Sequence, residues 1–246
     1  MLLKDKVVLV TGGGRGIGAG IVRALSREGA TVAINYNRSR EKAEAVAASV
    51  ERGEVFQCDV LDHDAVLKMV DSVYSRFGRI DGLVNNAIAG KQGGRFGDTT
   101  WEDYANAFDY GAKAVINTMK AVRPIMQRQG GGRIVNIVSE QWNFGLAEWS
   151  VYLAGKGAMV GISRTLADEL GPENITVNMI APGWMKTEKV TAETNTAPYV
   201  QSVPLHRQAD CEEIGKACVF FFSYLADYVT GAYLPVAGGK VRQVGC

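Results

Sequence analysis

Tyr152 and Lys156 stand four residues apart, a spacing that puts a phenol and an ammonium on one face of a helix. A free tyrosine, with a pKa of about 10, carries protons poorly near neutrality. A lysine one turn away favours the phenolate and lowers that value, and a positively charged ring nearby would push the same way. Ser139 follows an apolar run, Arg133 to Val138, and precedes the pair by one short loop. A hydroxyl, a phenol and an ammonium at the carboxyl end of a buried strand can together move a proton to or from a carbonyl oxygen. Each also has a plainer explanation: strand-end hydroxyls cap the next segment, and a chain with nine tyrosines holds a Tyr-Lys pair at this spacing readily by chance.

A second constellation is the turn Thr11-Gly12-Gly13-Gly14-Arg15-Gly16-Ile17-Gly18. It separates the run Val7 to Val10 from the helical pattern of Ile17, Ile21, Val22 and Leu25. A strand that turns through glycines into a helix offers free backbone N–H groups and a positive dipole end to a phosphate. Without side chains in the way, a pyrophosphate can approach the backbone closely. The spacing, Gly12-x-x-x-Gly16-x-Gly18, differs from Gly-x-Gly-x-x-Gly. The tip of the second strand reads Asn35-Tyr36-Asn37-Arg38, with no carboxylate to take both ribose hydroxyls of NAD. Arg38 and Arg15 can instead pair with a 2′-phosphate. The expected cofactor is therefore NADP(H), although for Arg38 alone a solvated charge at a helix start is the plainer reading.

The elements that must position these groups are apolar runs alternating with helical stretches, the pattern of a parallel sheet covered on both faces. The expected fold is α/β, a three-layer doubly wound (Rossmann-type) parallel sheet, with residues 1–246 forming a single domain. Further strands fall at Thr31–Asn35, Val55–Cys58, Ile80–Val84, Ile175–Ile180 and Tyr233–Val236. Asp62 is the expected N-cap of a helix through Val66 and Val73. Thr100-Trp101-Glu102-Asp103 resembles a capping box that opens one long helix to Met126. Lys186 to Asp210 shows no periodicity; such a segment in a compact domain is expected to be a substrate lid.

The 246-residue chain carries a formal charge of +1 with 22% charged residues, which points away from nucleic acid and membrane surfaces as partners. The start, Met1 to Lys6, lacks the apolar stretch of a signal peptide, so a cytoplasmic location is expected. The apolar run Ala217 to Phe222 is too short to span a bilayer and reads as a core or subunit-interface helix. Cys58, Cys211, Cys218 and Cys246 are scattered as free thiols would be. His63 and His206 stand alone, and no metal site is expected.

Taken together, Thr11-Gly-Gly-Gly-Arg-Gly-Ile-Gly18, Asp59-Val60, Asn85-Asn86-Ala87, Ser139, Tyr152-x-x-x-Lys156, Asn178, and Pro182-Gly183 with Thr187 resemble the short-chain dehydrogenase/reductase family along nearly the full chain. Within it, the chain is most similar to 3-oxoacyl-(acyl-carrier-protein) reductases and related NADPH carbonyl reductases, an impression to which Ala33 to Ser39 contributes. The resemblance implies that Tyr152 gives the proton to the substrate carbonyl, that Ser139 hydrogen-bonds the same oxygen, and that Lys156 lowers the tyrosine pKa and holds the nicotinamide ribose. It implies cofactor contacts from Gly12, Gly14, Arg15, Gly16, Ile17 and Gly18, and from Tyr36, Asn37 and Arg38. Asp59, Val60, Asn86 and Ala87 would lie along the adenosine side, and Pro182, Gly183 and Thr187 along the carboxamide. A homotetramer is implied as well.

Three departures from the family pattern stand out. Gly111 occupies the position of the family's catalytic asparagine, Ile88 follows Asn-Asn-Ala where glycine is usual, and Ala237 replaces a common acid. The first puts the proton relay behind Lys156 in question; the last reads as structural. The expected substrate is a ketone or a 3-oxoacyl group, carried on acyl-carrier protein or coenzyme A. Trp142, Phe144 and Trp149 are expected to wall a pocket for a bulky or ring-shaped group, and Arg128 and Arg133 are the basic residues weighed for a carrier protein. An NAD(H)-dependent alcohol or sugar dehydrogenase, and a nucleotide-binding regulator without turnover, remain open alternatives.

Overall fold

The computed structural model describes residues 1–91, 93–188 and 190–240. Its strands are β1 (Val7–Val10), β2 (Thr31–Tyr36), β3 (Gly53–Gln57), β4 (Gly82–Asn85), β5 (Gly132–Ile137), β6 (Ile175–Pro182) and β7 (Tyr233–Val236). All pair in parallel, in the order β3-β2-β1-β4-β5-β6-β7. Strand order therefore reverses between β1 and β4, and the crevice at such a reversal is where ligands of doubly wound sheets bind.

Successive strand side chains point to opposite faces, which is why β1 must be apolar throughout. Val7 and Leu9 join a core with Val66 and Val70 of helix α3 (His63–Phe77), Val122 and Met126 of α5 (Ala114–Arg128), and Met159 and Val160 of α6 (Ser150–Glu169). Val8 and Val10 join the opposite core with α1 (Gly16–Arg27), α2 (Arg40–Ala48) and α8 (Glu212–Phe222). The Asp62 carboxylate accepts from Ala65 N at 3.0 Å and caps α3 as expected. Thr100 and Asp103 form the capping box at the start of α4 (Trp101–Phe108).

One expected helix is divided. Between α4 and α5 the chain makes a π-helical turn over Asp109–Lys113, which apolar periodicity alone does not reveal. A helix, α7 (Ala197–Ser202), interrupts the segment expected to lack periodicity. The two ends of that segment meet, with Lys186 N donating to Ala209 O at 2.9 Å and Lys186 bridging Asp210. The apolar run of α8 is core: Phe221 and Phe222 are buried, and a Cβ on Gly82 would fall 2.8 Å from the Phe222 ring.

Arg133, the second residue of β5, pairs with Asp227, and Arg128 ends α5. Both lie at the amino ends of the strands, across the sheet from the crevice, so neither can serve a carrier protein docking there. Cys58 and Cys218 are buried and Cys211 is half-buried; Cys246 lies outside the described residues. His63 and His206 are exposed. Among the described residues no helix is long and apolar enough to cross a membrane.

Candidate active site

The crevice is built first from the glycine turn. Gly12 and Gly16 adopt φ +62° and +51°, values that favour glycine. A Cβ on Gly18 would fall 2.3 Å from Gly12 O, so only glycine lets the start of α1 close on the turn. The turn is held from the next strand. Thr11 Oγ1 accepts from Asn86 N at 2.9 Å and Ala87 N at 3.1 Å, while Asn86 Nδ2 donates to Thr11 O at 2.9 Å and Gly12 O at 3.1 Å. The Asn86 side chain thus holds the turn rather than reaching outward.

At the neighbouring strand tip, Asn35 is buried. Its Oδ1 accepts from Gly12 N at 3.3 Å, and its Nδ2 faces Tyr36 O, Phe56 O and Cys58 O at 3.0–3.3 Å. It ties β1, β2 and β3 together, a role that its place in the sequence does not announce. Tyr36 is buried and Asn37 half-buried. Gly14 packs on Ala43 of α2, with a Cβ there falling 3.1 Å from Ala43.

These residues fit a dinucleotide phosphate. Arg15, the residue before α1, provides no side-chain cap, and the first turn of α1 carries no acid. Its leading N–H groups, Ile17 N among them, therefore face an anion-ready end. Arg15 and Arg38 are both exposed and form no salt bridge among the described residues. Asp59 turns its carboxylate back to Leu61 N at 3.0 Å, and Val60 is buried with its carbonyl accepting from Asn117 Nδ2 at 3.1 Å. Asp59 and Arg38 both act electrostatically on the Tyr110 hydroxyl, which brings the π turn to the same rim. Across the turn, a Cβ on Gly16 would lie 3.5 Å from Thr187 Cγ2, so the segment after β6 reaches back to the glycines.

The three chemical groups converge at the carboxyl end of β5. Lys156 is buried, and its Nζ donates to Ile137 O at 2.6 Å. It lies 5.7 Å from the centre of the Tyr152 ring. Ser139 Oγ accepts from Gln141 N at 3.3 Å, and its hydroxyl lies beside the Tyr152 phenol, whose ionised form it favours. The Ser139 carbonyl is pinned by Tyr233 OH at 2.8 Å. Beneath the site, Thr118, Asn85, Asn136 and Ser163 form a buried chain at 2.7–2.8 Å from α5 through β4 and β5 to α6, a network that fixes the floor. Tyr152, Gly155, Lys156 and Met159 wall one side of a narrow cleft, faced by Ala87, Ile88, Tyr110 and Gly111.

The electrostatics correct one expectation. Burial raises the Tyr152 phenol above its usual value, the Glu140 charge adds to this, and the bond from Ser139 opposes it. Burial is the largest of these causes; the Lys156 head lies over the ring face and donates one of its protons to Ile137 O. Burial lowers Lys156 itself to about 8.

Gly111 is closed to any side chain, since a Cβ there would fall 2.0 Å from Gly155 O. Trp149 stands edge-on to Tyr152 at 5.5 Å, but Trp142 lies on Gly157, and neither they nor Phe144 line the cleft. Pro182 ends β6 buried, and Gly183 leaves room for the Tyr199 hydroxyl, 2.4 Å from where a Cβ would sit. The sequence reading missed Glu140, Tyr199 and Tyr233. The carboxylate directly after Ser139 was the one signal available for them.

Residues 12–240 match a family model described as enoyl-(acyl carrier protein) reductase. The 3-oxoacyl-[acyl-carrier-protein] reductase FabG of Staphylococcus epidermidis is 35% identical over 96% of this chain and 98% of its own length. A 3alpha-hydroxysteroid dehydrogenase of Mediterraneibacter gnavus is 36% identical over 97% of this chain and 98% of its own. A blue fluorescent protein from a metagenomic library, solved with NADPH, superposes with a TM-score of 0.90 at 33% identity, covering 98% of this chain and all of its own. An NAD+-bound xylitol dehydrogenase gives 0.88 at 32%, covering 97% of this chain and all of its own. Extent and identity together lead to one conclusion: the chain is an oxidoreductase of the short-chain dehydrogenase/reductase family.

Proposed function

We propose that the protein reduces a ketone or 3-oxoacyl thioester to a secondary alcohol with NADPH, using Tyr152 as the general acid. The observation that carries this reading is the convergence of Ser139, Tyr152 and Lys156 at the carboxyl end of β5, where Tyr152 and Lys156 line a cleft beside the sheet's strand-order reversal. A phenol held above its ordinary pKa keeps its proton at neutral pH, which suits a donor to a developing alkoxide. Ser139, beside the phenol, would donate its hydroxyl proton to the same oxygen and orient the carbonyl. Lys156 sets a positive charge behind the phenol and stabilises the phenolate left after transfer.

The glycine turn and the N-terminus of α1 would hold the pyrophosphate, with Arg15 and Arg38 on a 2′-phosphate and Tyr36, Asn37, Asp59 and Val60 around the adenosine. Ala87, Lys156, Pro182, Gly183 and Thr187 would bound the nicotinamide end. When bound, the reduced nicotinamide supplies the hydride. Support for the phosphate preference is the acid-free strand tip; the solved neighbours include an NADPH-bound and an NAD+-bound protein alike.

Residues 186–210 act in this reading as a substrate lid, hinged where Lys186 meets Asp210. The names of the two relatives suggest a 3-oxoacyl thioester on a carrier or a ring ketone as substrate. A cytoplasmic homotetramer completes the reading; exposed Tyr224, Leu225 and Tyr228 after α8 offer an apolar surface for assembly.

The test is cofactor oxidation over acetoacetyl thioesters, diketones, quinones, ring ketones and sugars, with NADPH and NADH in parallel. Turnover of a carbonyl with NADPH preferred is expected. Tighter binding and faster use of NADH, or oxidation of a sugar alone, would overturn it.

A further inference from the structure

Glu140 directly follows Ser139 and is only 3% exposed. One carboxyl oxygen, Oε1, accepts from Tyr199 OH at 3.3 Å; the other, Oε2, has no hydrogen-bond partner among the described residues. A buried carboxyl with half its acceptors unmet is costly, so packing does not account for it. Its partner explains more. Tyr199 lies on α7, within the 186–210 segment, and its hydroxyl also accepts from Trp184 N at 2.7 Å. The ring meets Trp184 edge-on at 5.5 Å, and the Lys240 ammonium lies 4.3 Å from the ring centre. Gly183 is glycine where this hydroxyl seats: a Cβ would come within 2.4 Å of it. One phenol thus joins the turn after Ser139, the backbone after β6 and the helix of the returning segment. At the far side of α7, Leu205 N donates to Gly238 O at 3.0 Å, so α7 is anchored at both ends and Glu140 holds the end nearest Ser139.

We propose that Glu140 is a positioning residue: by accepting the Tyr199 hydroxyl, it holds the 186–210 segment down on the Gly183–Trp184 backbone and so sets the closed shape of the substrate side of the cleft. The proposal rests on the reading of Ser139, Tyr152 and the lid given above. Glu140 touches no reacting atom in it and acts through Tyr199. The pairing also explains why a tyrosine, with a ring to pack and a hydroxyl that donates and accepts at once, stands on so short a helix.

Three variants of the full chain test this: Glu140→Ala, Glu140→Gln and Tyr199→Phe. Two readouts are used. Hydrogen exchange of the peptides spanning 184–205 reports on the latch without any substrate. Steady-state kinetics on the carbonyl found in the cofactor screen reports on its use. The Ala and Phe variants are expected to exchange at least tenfold faster over 184–205, with peptides of β5 and α6 unchanged, and to raise substrate KM about five- to tenfold with kcat within twofold. The Gln variant keeps an acceptor for Tyr199 and is expected to restore both readouts to within twofold of the parent. Unchanged exchange in both the Ala and Phe variants overturns the proposal, as does faster exchange with unaltered KM, or a Gln variant as impaired as Ala. Because exchange needs no turnover, a failed latch and a failed reductase reading give different results: the second is a chain that latches normally but reduces no carbonyl.

Discussion

Gly111 and Gly155 meet backbone to backbone: a Cβ on Gly111 would lie 2.0 Å from the Gly155 carbonyl oxygen, and one on Gly155 would lie 2.4 Å from Ala107 O. The π turn therefore lies directly on the helix that carries Tyr152 and Lys156. The question left by the sequence, whether Gly111 is a catalytic asparagine lost, has a packing answer. No side chain fits there while α6 keeps its place.

Gly111→Ala and Gly111→Asn are accordingly expected to destabilise the fold by about 1–3 kcal/mol or more through overpacking, and to lower kcat by displacing Lys156. Neither should speed turnover. Gly161→Ala, at a site on α6 where a Cβ meets nothing within 4 Å, is the control and should stabilise by about 0.5–1 kcal/mol through helix propensity. Thermal unfolding and kcat for the three variants check this.

Cofactor selectivity is expected to reside in Arg38 and Arg15, whose exposed guanidinium groups form no salt bridge in the described structure. A charge-assisted hydrogen bond contributes about 1.5–3 kcal/mol, so Arg38→Asp should weaken NADPH binding roughly 10- to 100-fold. NADH binding should stay level or tighten. Calorimetric titration of both cofactors decides it, and equal losses for the two would remove Arg38 from the selectivity account.

Glu140 gives a pH signature. Burial raises its carboxyl from 4.5 to about 7, against the opposing pull of Lys240 and Tyr199. The folded chain therefore binds this proton more tightly than the unfolded chain, so the stability it contributes is full below pH 4.5 and is lost as pH rises through about 7. Glu140→Gln does not titrate. Its unfolding free energy should gain on the parent by roughly 2–3 kcal/mol between pH 4.5 and 7.5. Denaturant unfolding across that range measures the gap; a constant gap would mean that the carboxyl is not held protonated.

Much of this was legible in the sequence for a physical reason. A strand buried on both faces must be apolar at every position, so Val7–Val10 announces itself, and glycines required by positive φ or close approach announce the turn at Gly12, Gly16 and Gly18. Local capping was equally readable at Asp62 and at Thr100 with Asp103. What escaped depends on partners distant in sequence. Tyr199 and Glu140 are 59 residues apart, Tyr233 and Ser139 are 94 apart, and no local pattern links them. The π turn escaped because its apolar spacing continues that of the flanking helices. The expected lowering of the Tyr152 pKa failed because burial of the phenol outweighs the groups that favour its charge, and spacing along a helix gives proximity but not burial.

The most direct measurement is Tyr152→Phe, assayed for carbonyl reduction with NADPH and titrated with NADPH in parallel. Loss of the phenolic proton is expected to lower kcat about 10²- to 10⁴-fold, with NADPH affinity within about threefold of the parent because the ring and its packing remain. Reduction at an unchanged rate by Tyr152→Phe would contradict the account.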